Sequence, residues 1–222
     1  MKARKKEEKA ISQKLNEFFK QYSRIKYRKH ETILHPFDTP QGIFYLKKGY
    51  CRSFTLSKEG EELTLIIFRP GSIFPLRWAI NDTQIKQGIE SITEIEVIRA
   101  PREKFVDFLK KDQDLSFAFV KRSLRRAGEL LERMEYLVFG NAYEKVASIL
   151  VMLGTSFGEK KSDSVFIKVP FTHKDIASLV GLTRETASIE LEMIKKKGFI
   201  DYKGKKIIIK DIEKLKEESL LG

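Results

Sequence analysis

The spacing of hydrophobic positions changes several times along the chain. Over residues 5–22, Ile11, Leu15, Phe18 and Phe19 recur on one side of a helix. From Arg24 to about Pro101 the period shortens to that of strands. Residues 43–46, 50–56, 63–68 and 95–100 are rich in β-branched and aromatic side chains, and Gly42, Gly49, Gly60, Gly71 and Gly88 punctuate them. Residues 47–49 and 57–60 read as hairpin turns. Many short strands of this kind predict a small barrel or jelly roll. Helical spacing returns in a short helix from Pro101 to Leu109 and a long one from about Asp112 to Phe139. Leu115, Phe119, Arg122, Leu130, Met134, Leu137 and Val138 give the long helix a seam, interrupted by Arg122, Arg125 and Arg126. Such a stripe needs a cover, either a two-fold partner helix or the chain's own β-rich domain. Gly140-Asn141 breaks the pattern, and residues 142–157 resume it with Val146, Ile149, Leu150 and Leu153 facing inward. A polar loop at 162–164 and a strand at 165–169 follow.

The most informative segment begins at Thr172. Thr172 with Asp175 resembles a capping box, and Ile176, Ala177, Leu179 and Val180 supply an apolar face. Gly181 stands where a left-handed residue ends a helix, and Leu182 is placed to plug the space between two helices. Thr183 is a good cap for a second helix running to about Lys197, whose buried stripe is Ala187, Leu191 and Ile194. Behind it, residues 200–209 read as a basic hairpin turning at Lys203-Gly204-Lys205. This is the pattern of a helix-turn-helix with a wing, whose second helix enters the DNA major groove. Arg184, Glu185 and Ser188 have side chains suited to base edges. Thr172, His173, Lys174, Thr183, Thr186, Lys203 and Lys205 are expected on the DNA backbone, where contacts fix register.

Charge sharpens this locally more than globally. The 222 residues carry a net charge of +12, which points to an anionic partner. Residues 1–30 alone hold 11 Lys/Arg against 3 Asp/Glu, a second nucleic-acid contact or, the favoured reading, a solubilising tail. Residues 195–210 hold seven Lys against one Asp and flank the second helix, where phosphate contact is expected. The N-terminus lacks the continuous apolar stretch of a signal peptide, and no apolar run approaches a membrane span, so a cytoplasmic protein with no membrane partner is expected. The single cysteine, Cys51, excludes an intrachain disulfide.

The run Gly-Leu-Thr-Arg-Glu-Thr-Ala-Ser at residues 181–188 resembles the recognition-helix signature of the Crp/Fnr superfamily, and the layout of nearly the whole chain fits that family. The resemblance implies an α+β protein of two domains. A basic N-terminal helix (1–22) leads into a cyclic-nucleotide-binding-like β-roll sensor, or jelly roll (23–110). A long dimerisation helix (111–139) and a C-terminal winged helix-turn-helix (140–222) complete it. It further implies a homodimer on a pseudo-palindromic operator, with RNA polymerase as the protein partner. The family's second base-reading Arg is replaced by Ile189, so the operator should differ, with Ile189 packing on a thymine methyl.

In nucleotide-binding relatives a Gly-Glu segment holds ribose and an Arg-Ser or Arg-Thr pair holds the cyclic phosphate. Here Ser72 replaces the Glu, no such pair precedes Gly88, and Leu130 and Leu131 stand where polar base contacts belong. Cyclic AMP is not expected as a cofactor. One cysteine excludes a Cys-ligated iron–sulfur cluster. Haem is not expected, because His30, His35 and His173 are poorly placed as axial ligands. Gly71, Ser72, Ile73, Phe74, Trp78 and Leu130 form a candidate pocket for another effector, with a packed core as the competing reading. No catalytic motif or metal-ligand set is present, so no enzymatic role is expected. Two other readings stay open: a regulatory subunit working through protein contacts, and an architectural DNA binder without sequence preference.

Overall fold

The computed structural model describes residues 2–221, with side chains from residue 9 onward. Helix α1 (Lys2–Phe19) precedes eight strands: β1 (Arg24–Tyr27), β2 (Thr32–Leu34), β3 (Ile43–Lys48), β4 (Cys51–Leu56), β5 (Glu62–Phe68), β6 (Ile73–Phe74), β7 (Gly88–Ser91) and β8 (Ile95–Ala100). A short helix α2 (Leu76–Asn81) lies between β6 and β7. Next come α3 (Arg102–Lys111), the 27-residue α4 (Gln113–Phe139), α5 (Ala142–Phe157), β9 (Gly158–Lys161) and β10 (Ser164–Ile167). Helices α6 (His173–Val180) and α7 (Arg184–Lys196), strands β11 (Ile200–Lys203) and β12 (Lys206–Ile209), and α8 (Ile212–Glu217) complete the chain.

Two compact units result. The first comprises residues 1–55 and 65–125, the second residues 56–64 and 126–222. Helix α4 therefore supplies its first half to one unit and its second half to the other. The tip between β4 and β5 belongs with the C-terminal unit.

The first unit is built on two four-stranded sheets, ordered β1-β8-β3-β6 and β2-β7-β4-β5. Strands β1 and β8, β3 and β8, and β4 and β7 pair antiparallel. Alternation across the strands feeds two apolar clusters. Tyr45, Ile73 and Ile98 join Leu15 and Phe19 of α1 and Phe105 and Leu109 of α3. Phe44, Phe74 and Val97 join Phe68, Ile85 and Ile89. The expected face of α1 is the one buried: Phe19 stacks on Tyr45 at 4.9 Å, and Phe18 stacks on Phe108 at 4.4 Å.

The two clusters revise the candidate effector pocket. Ile73 and Phe74 are adjacent on β6, so their side chains leave opposite faces and enter different cores. Phe74 stacks on Phe44 at 5.6 Å and meets Phe68 at 4.8 Å, and Trp78 packs against both clusters. Ser72 is fully buried, and its hydroxyl accepts from Arg69 N at 3.2 Å and from Arg122 Nη2 at 3.5 Å. These residues are a packed core and a braced turn. Gly71 lines a cleft, and Leu130, 41% exposed, belongs to the other unit.

The seam of α4 is revised as well. Leu115 is buried and Phe119 packs edge-on to Phe105, so this stripe covers the helix's own β-rich unit. A second stripe lies beside it. Phe117, Val120, Leu124, Ala127, Leu131, Met134 and Val138 repeat at alternating threes and fours, and every one is exposed. That is an uninterrupted heptad seam for another helix. Arg122, Arg125 and Arg126 fall outside it.

Candidate nucleic-acid interface

Helix α5 forms the base of the C-terminal unit. Asn141 opens it with a full capping box to Glu144, and Val146, Ile149, Leu150 and Leu153 are fully buried, as their spacing required. The sheet here is ordered β11-β12-β10-β9. Strand β10 runs over 164–167, two residues shorter at its end than the hydrophobic run, and the preceding residues pair as β9.

Helix α6 carries the expected cap. The Thr172 hydroxyl accepts from Asp175 N at 3.2 Å, and the Asp175 carboxylate accepts from Thr172 N at 2.7 Å. Asp is one carbon shorter than the usual Glu, yet both halves of the box form. Gly181 has φ +63°, a left-handed geometry that glycine adopts without a Cβ penalty. Thr183 then caps α7 by accepting from Thr186 N at 3.2 Å. Ala187, Leu191 and Ile194 are fully buried, so the opposite face of α7 is turned outward by default.

That outward face begins with Arg184 and Glu185, both exposed in the first turn. Ile189 lies one turn beyond Glu185 and is 62% exposed. An exposed β-branched apolar side chain on a helix whose other side is fully buried is available for contact with a partner. Thr172, Lys174 and Thr183 lie exposed around the same end, and Lys203 and Lys205 are exposed on either side of the wing turn at Gly204. The wing pairs in register from Ile200↔Ile209 to Lys203↔Lys206.

Ser188 and His173 are placed differently from the exposed group. Ser188 Oγ donates to Arg184 O at 2.7 Å and lies 2.8 Å from His173 Nδ1. Its one proton being committed, it accepts from Nδ1–H, which leaves His173 Nε2 as the acceptor for the Tyr202 hydroxyl at 3.4 Å. Burial pushes the Tyr202 phenol up to about 12, with the nearby Glu192 carboxylate acting the same way, so it remains a donor. His173 thus ties the start of α6 to the recognition helix and the wing. Local pattern held no sign of Tyr202, because the contact spans 29 residues.

A second long-range tie braces α6 from behind. Arg133 of α4 is buried, and its Nη2 donates to Thr64 O and Leu179 O. Beside it, Thr64 Oγ1 and Ser178 Oγ are 2.8 Å apart. Among the described residues, no group of three or more His, Cys, Asp or Glu forms a metal site, and no helix is long and apolar enough to cross a membrane.

Comparison with known proteins agrees with this geometry. The Crp-like helix-turn-helix domain model matches residues 144–218, and the cyclic nucleotide-binding domain model matches residues 24–112. The global nitrogen regulator of Nostoc sp. is 25% identical over 185 residues, covering 82% of this chain and 83% of that one. The CRP-like cAMP-activated global transcriptional regulator of Mycobacterium tuberculosis is 22% identical over 196 residues, covering 88% of each. Among solved structures, a CooA mutant from Carboxydothermus hydrogenoformans superposes with a TM-score of 0.74 at 25% identity, covering 90% of this chain and 88% of that one. FixK2 from Bradyrhizobium japonicum shares the fold with a TM-score of 0.75 at 21% identity, covering 90% and 98%. Regulators of this type bind DNA as dimers and contact RNA polymerase. The two matched domains, joined by a long helix with an open heptad face and ending in an exposed recognition helix, make this chain a member of the Crp/Fnr family of DNA-binding transcription regulators.

Proposed function

We propose that the chain acts as a homodimer, paired through the heptad face of α4, and reads a pseudo-palindromic operator with the first turns of its two α7 helices. The observation that carries this reading is the exposed Arg184-Glu185 turn, capped by Thr183 on a helix whose other face is fully buried. Arg184 bridges guanine acceptors and Glu185 accepts from cytosine. Ile189 lies against a thymine methyl, so the half-site carries a T·A pair where an Arg at that position selects guanine. Ser188 contributes through its tie to His173, which orients the helix; His173 acts as a positioning residue in place of a phosphate contact. Lys174, Lys203 and Lys205 neutralise phosphates, with Thr172, Thr183 and Thr186 alongside.

The protein works in the cytoplasm, without catalysis and without haem, an iron–sulfur cluster or cyclic AMP. Ser72, which the family resemblance sets against the nucleotide-binding relatives' Glu, is buried and accepts from Arg69 N within its own turn. Cys51 is buried, and burial pushes its thiol up, away from thiolate chemistry. An effector that binds one arrangement of the dimer better than another shifts the population of DNA-competent molecules.

Selection of bound sequences from a random DNA pool tests this directly. The expected product is a two-fold symmetric consensus with half-sites about one helical turn, roughly 34–36 Å, apart. A pool that stays random removes the sequence-specific reading. Within the selected site, Arg184→Ala is expected to lose discrimination at one base pair per half-site, costing about 1–3 kcal/mol. Competition binding with single-base operator variants reads this, and equal weakening on every sequence contradicts base reading. Lys205→Ala is expected to weaken all sequences alike and to lower the slope of log affinity against log salt by about 1 per subunit. An unchanged slope in a salt titration removes Lys205 from the phosphate contacts.

A further inference from the structure

We infer that Glu192 of α7 is an electrostatic brake on DNA binding: its carboxylate faces the phosphates and lowers the affinity of each recognition helix. Along α7, Glu185, Ile189, Glu192 and Lys196 follow at spacings of four, three and four, and all four are exposed. They form one outward stripe opposite the buried Ala187, Leu191 and Ile194. Glu192 lies two turns past Glu185, about 10 Å further along the helix axis. With the first turn against the bases of a groove about 12 Å wide, that distance carries Glu192 up to the phosphate wall. Its neighbours fix the side on which it does so. The Glu192 carboxylate acts on the Tyr202 phenol of β11 and lies 3.9 Å from Lys195 Nζ, which sits over the Tyr202 ring at 5.5 Å. Glu192 therefore stands between the outward stripe and the strand that leads to Lys203 and Lys205 at the wing turn.

A carboxylate in that place opposes the lysines around it. Phosphate contact supplies the sequence-independent part of binding, which Lys174, Lys203 and Lys205 strengthen. Glu192 weakens the same part on every sequence alike, because the phosphates are there whatever the bases. Lys195 does not cancel this. Both partners of the pair are about half-exposed, and such pairs are weakly coupled. Lys195 also remains when Glu192 is replaced, so a neutral substitute changes the field at the DNA by one full charge. The consequence falls on the dimer. Each head alone binds more weakly than its cations dictate, so firm binding depends on both heads reaching one duplex together. An arrangement of subunits that presents a single head then stays off DNA. This inference rests on the proposed docking of α7 with its first turn against the bases.

Fluorescence anisotropy on the full chain tests the brake with three duplexes: the selected operator, a single half-site, and a scrambled sequence of equal length. Glu192→Gln keeps the shape of the side chain and removes its charge. It is expected to tighten binding to the half-site by about threefold at low salt. Operator binding is expected to tighten by about the square of that factor, since both heads gain. The scrambled duplex is expected to be bound more tightly as well, and all three gains shrink as salt is raised. Glu192→Lys is expected to go further and to steepen the slope of log affinity against log salt by about 1 per head. Unchanged or weaker binding by Glu192→Gln at low salt overturns the inference. So does a loss confined to one base pair, which would make Glu192 a base reader. If the random pool yields no operator while Glu192→Gln still tightens the scrambled duplex, the brake stands and the sequence-specific reading goes. If the operator emerges and Glu192→Gln binds it with unaltered affinity, the reading stands and the brake goes.

Discussion

Replacing Leu124 and Leu131 together by Glu is expected to yield a folded monomer that binds its operator about 10²–10⁴-fold more weakly than the unaltered chain. Both leucines occupy the same heptad position on α4, 68% and 62% exposed in the single chain. In a pair they face their own copies, so the double substitution sets four carboxylates along one apolar seam. Like charges brought out of water in this way are disfavoured both by desolvation and by mutual repulsion. The isolated fold loses little, because neither side chain is in its core. The affinity loss follows from geometry: two recognition helices on one frame bind two half-sites with an effective concentration that separate chains lack. Analytical ultracentrifugation and an operator titration read the two effects. A dimer that survives, or a monomer with undiminished affinity, would sink the assignment of this face.

The second large effect is expected at Arg133. Arg133→Met keeps most of the buried volume and removes the donors to Thr64 O and Leu179 O. Each buried carbonyl left without its partner costs about 1–3 kcal/mol, and relief of the guanidinium's own burial offsets part of that. A net destabilisation of about 2–4 kcal/mol is expected for the C-terminal unit. Burial works against the charge of this side chain, which arginine nonetheless retains. Hydrogen exchange localises the effect: amides of residues 56–64 and of α6 are expected to exchange faster, while those of β3 and β8 are unchanged. Uniform exchange across both units, or no loss of stability on urea unfolding, contradicts the brace. A change confined to α6 and residues 56–64 identifies Arg133 as the tie between that hairpin tip and the helix-turn-helix.

The two effects separate what two faces of α4 do. In the proposed dimer its exposed stripe pairs subunits, whereas its buried Arg133 donates to Thr64 O and Leu179 O beneath α6. Under the proposed reading neither feature touches the bases; both set the frame that carries the first turn of α7.

What the sequence determined by itself is local. The capping box at Thr172, the left-handed Gly181, the Thr183 cap and the Ala187-Leu191-Ile194 stripe all act within one or two helical turns. Residue type and spacing therefore specified them, and with them the helix-turn-helix and its outward Arg184 and Glu185. The wing turn at Gly204 and the buried stripe of α5 were legible for the same reason. Tertiary structure decided the rest. Strand order brings β1 beside β8 across some seventy residues, and it sends Ile73 and Phe74 into different cores. Helix α4 carries two apolar stripes, which the single seam read from periodicity merged, and only the fold shows which one the β-rich unit covers. Arg133 with Thr64, and His173 with Ser188 and Tyr202, meet only after folding. Such contacts depend on where distant segments are carried by the whole chain, and no window of neighbouring residues contains that information.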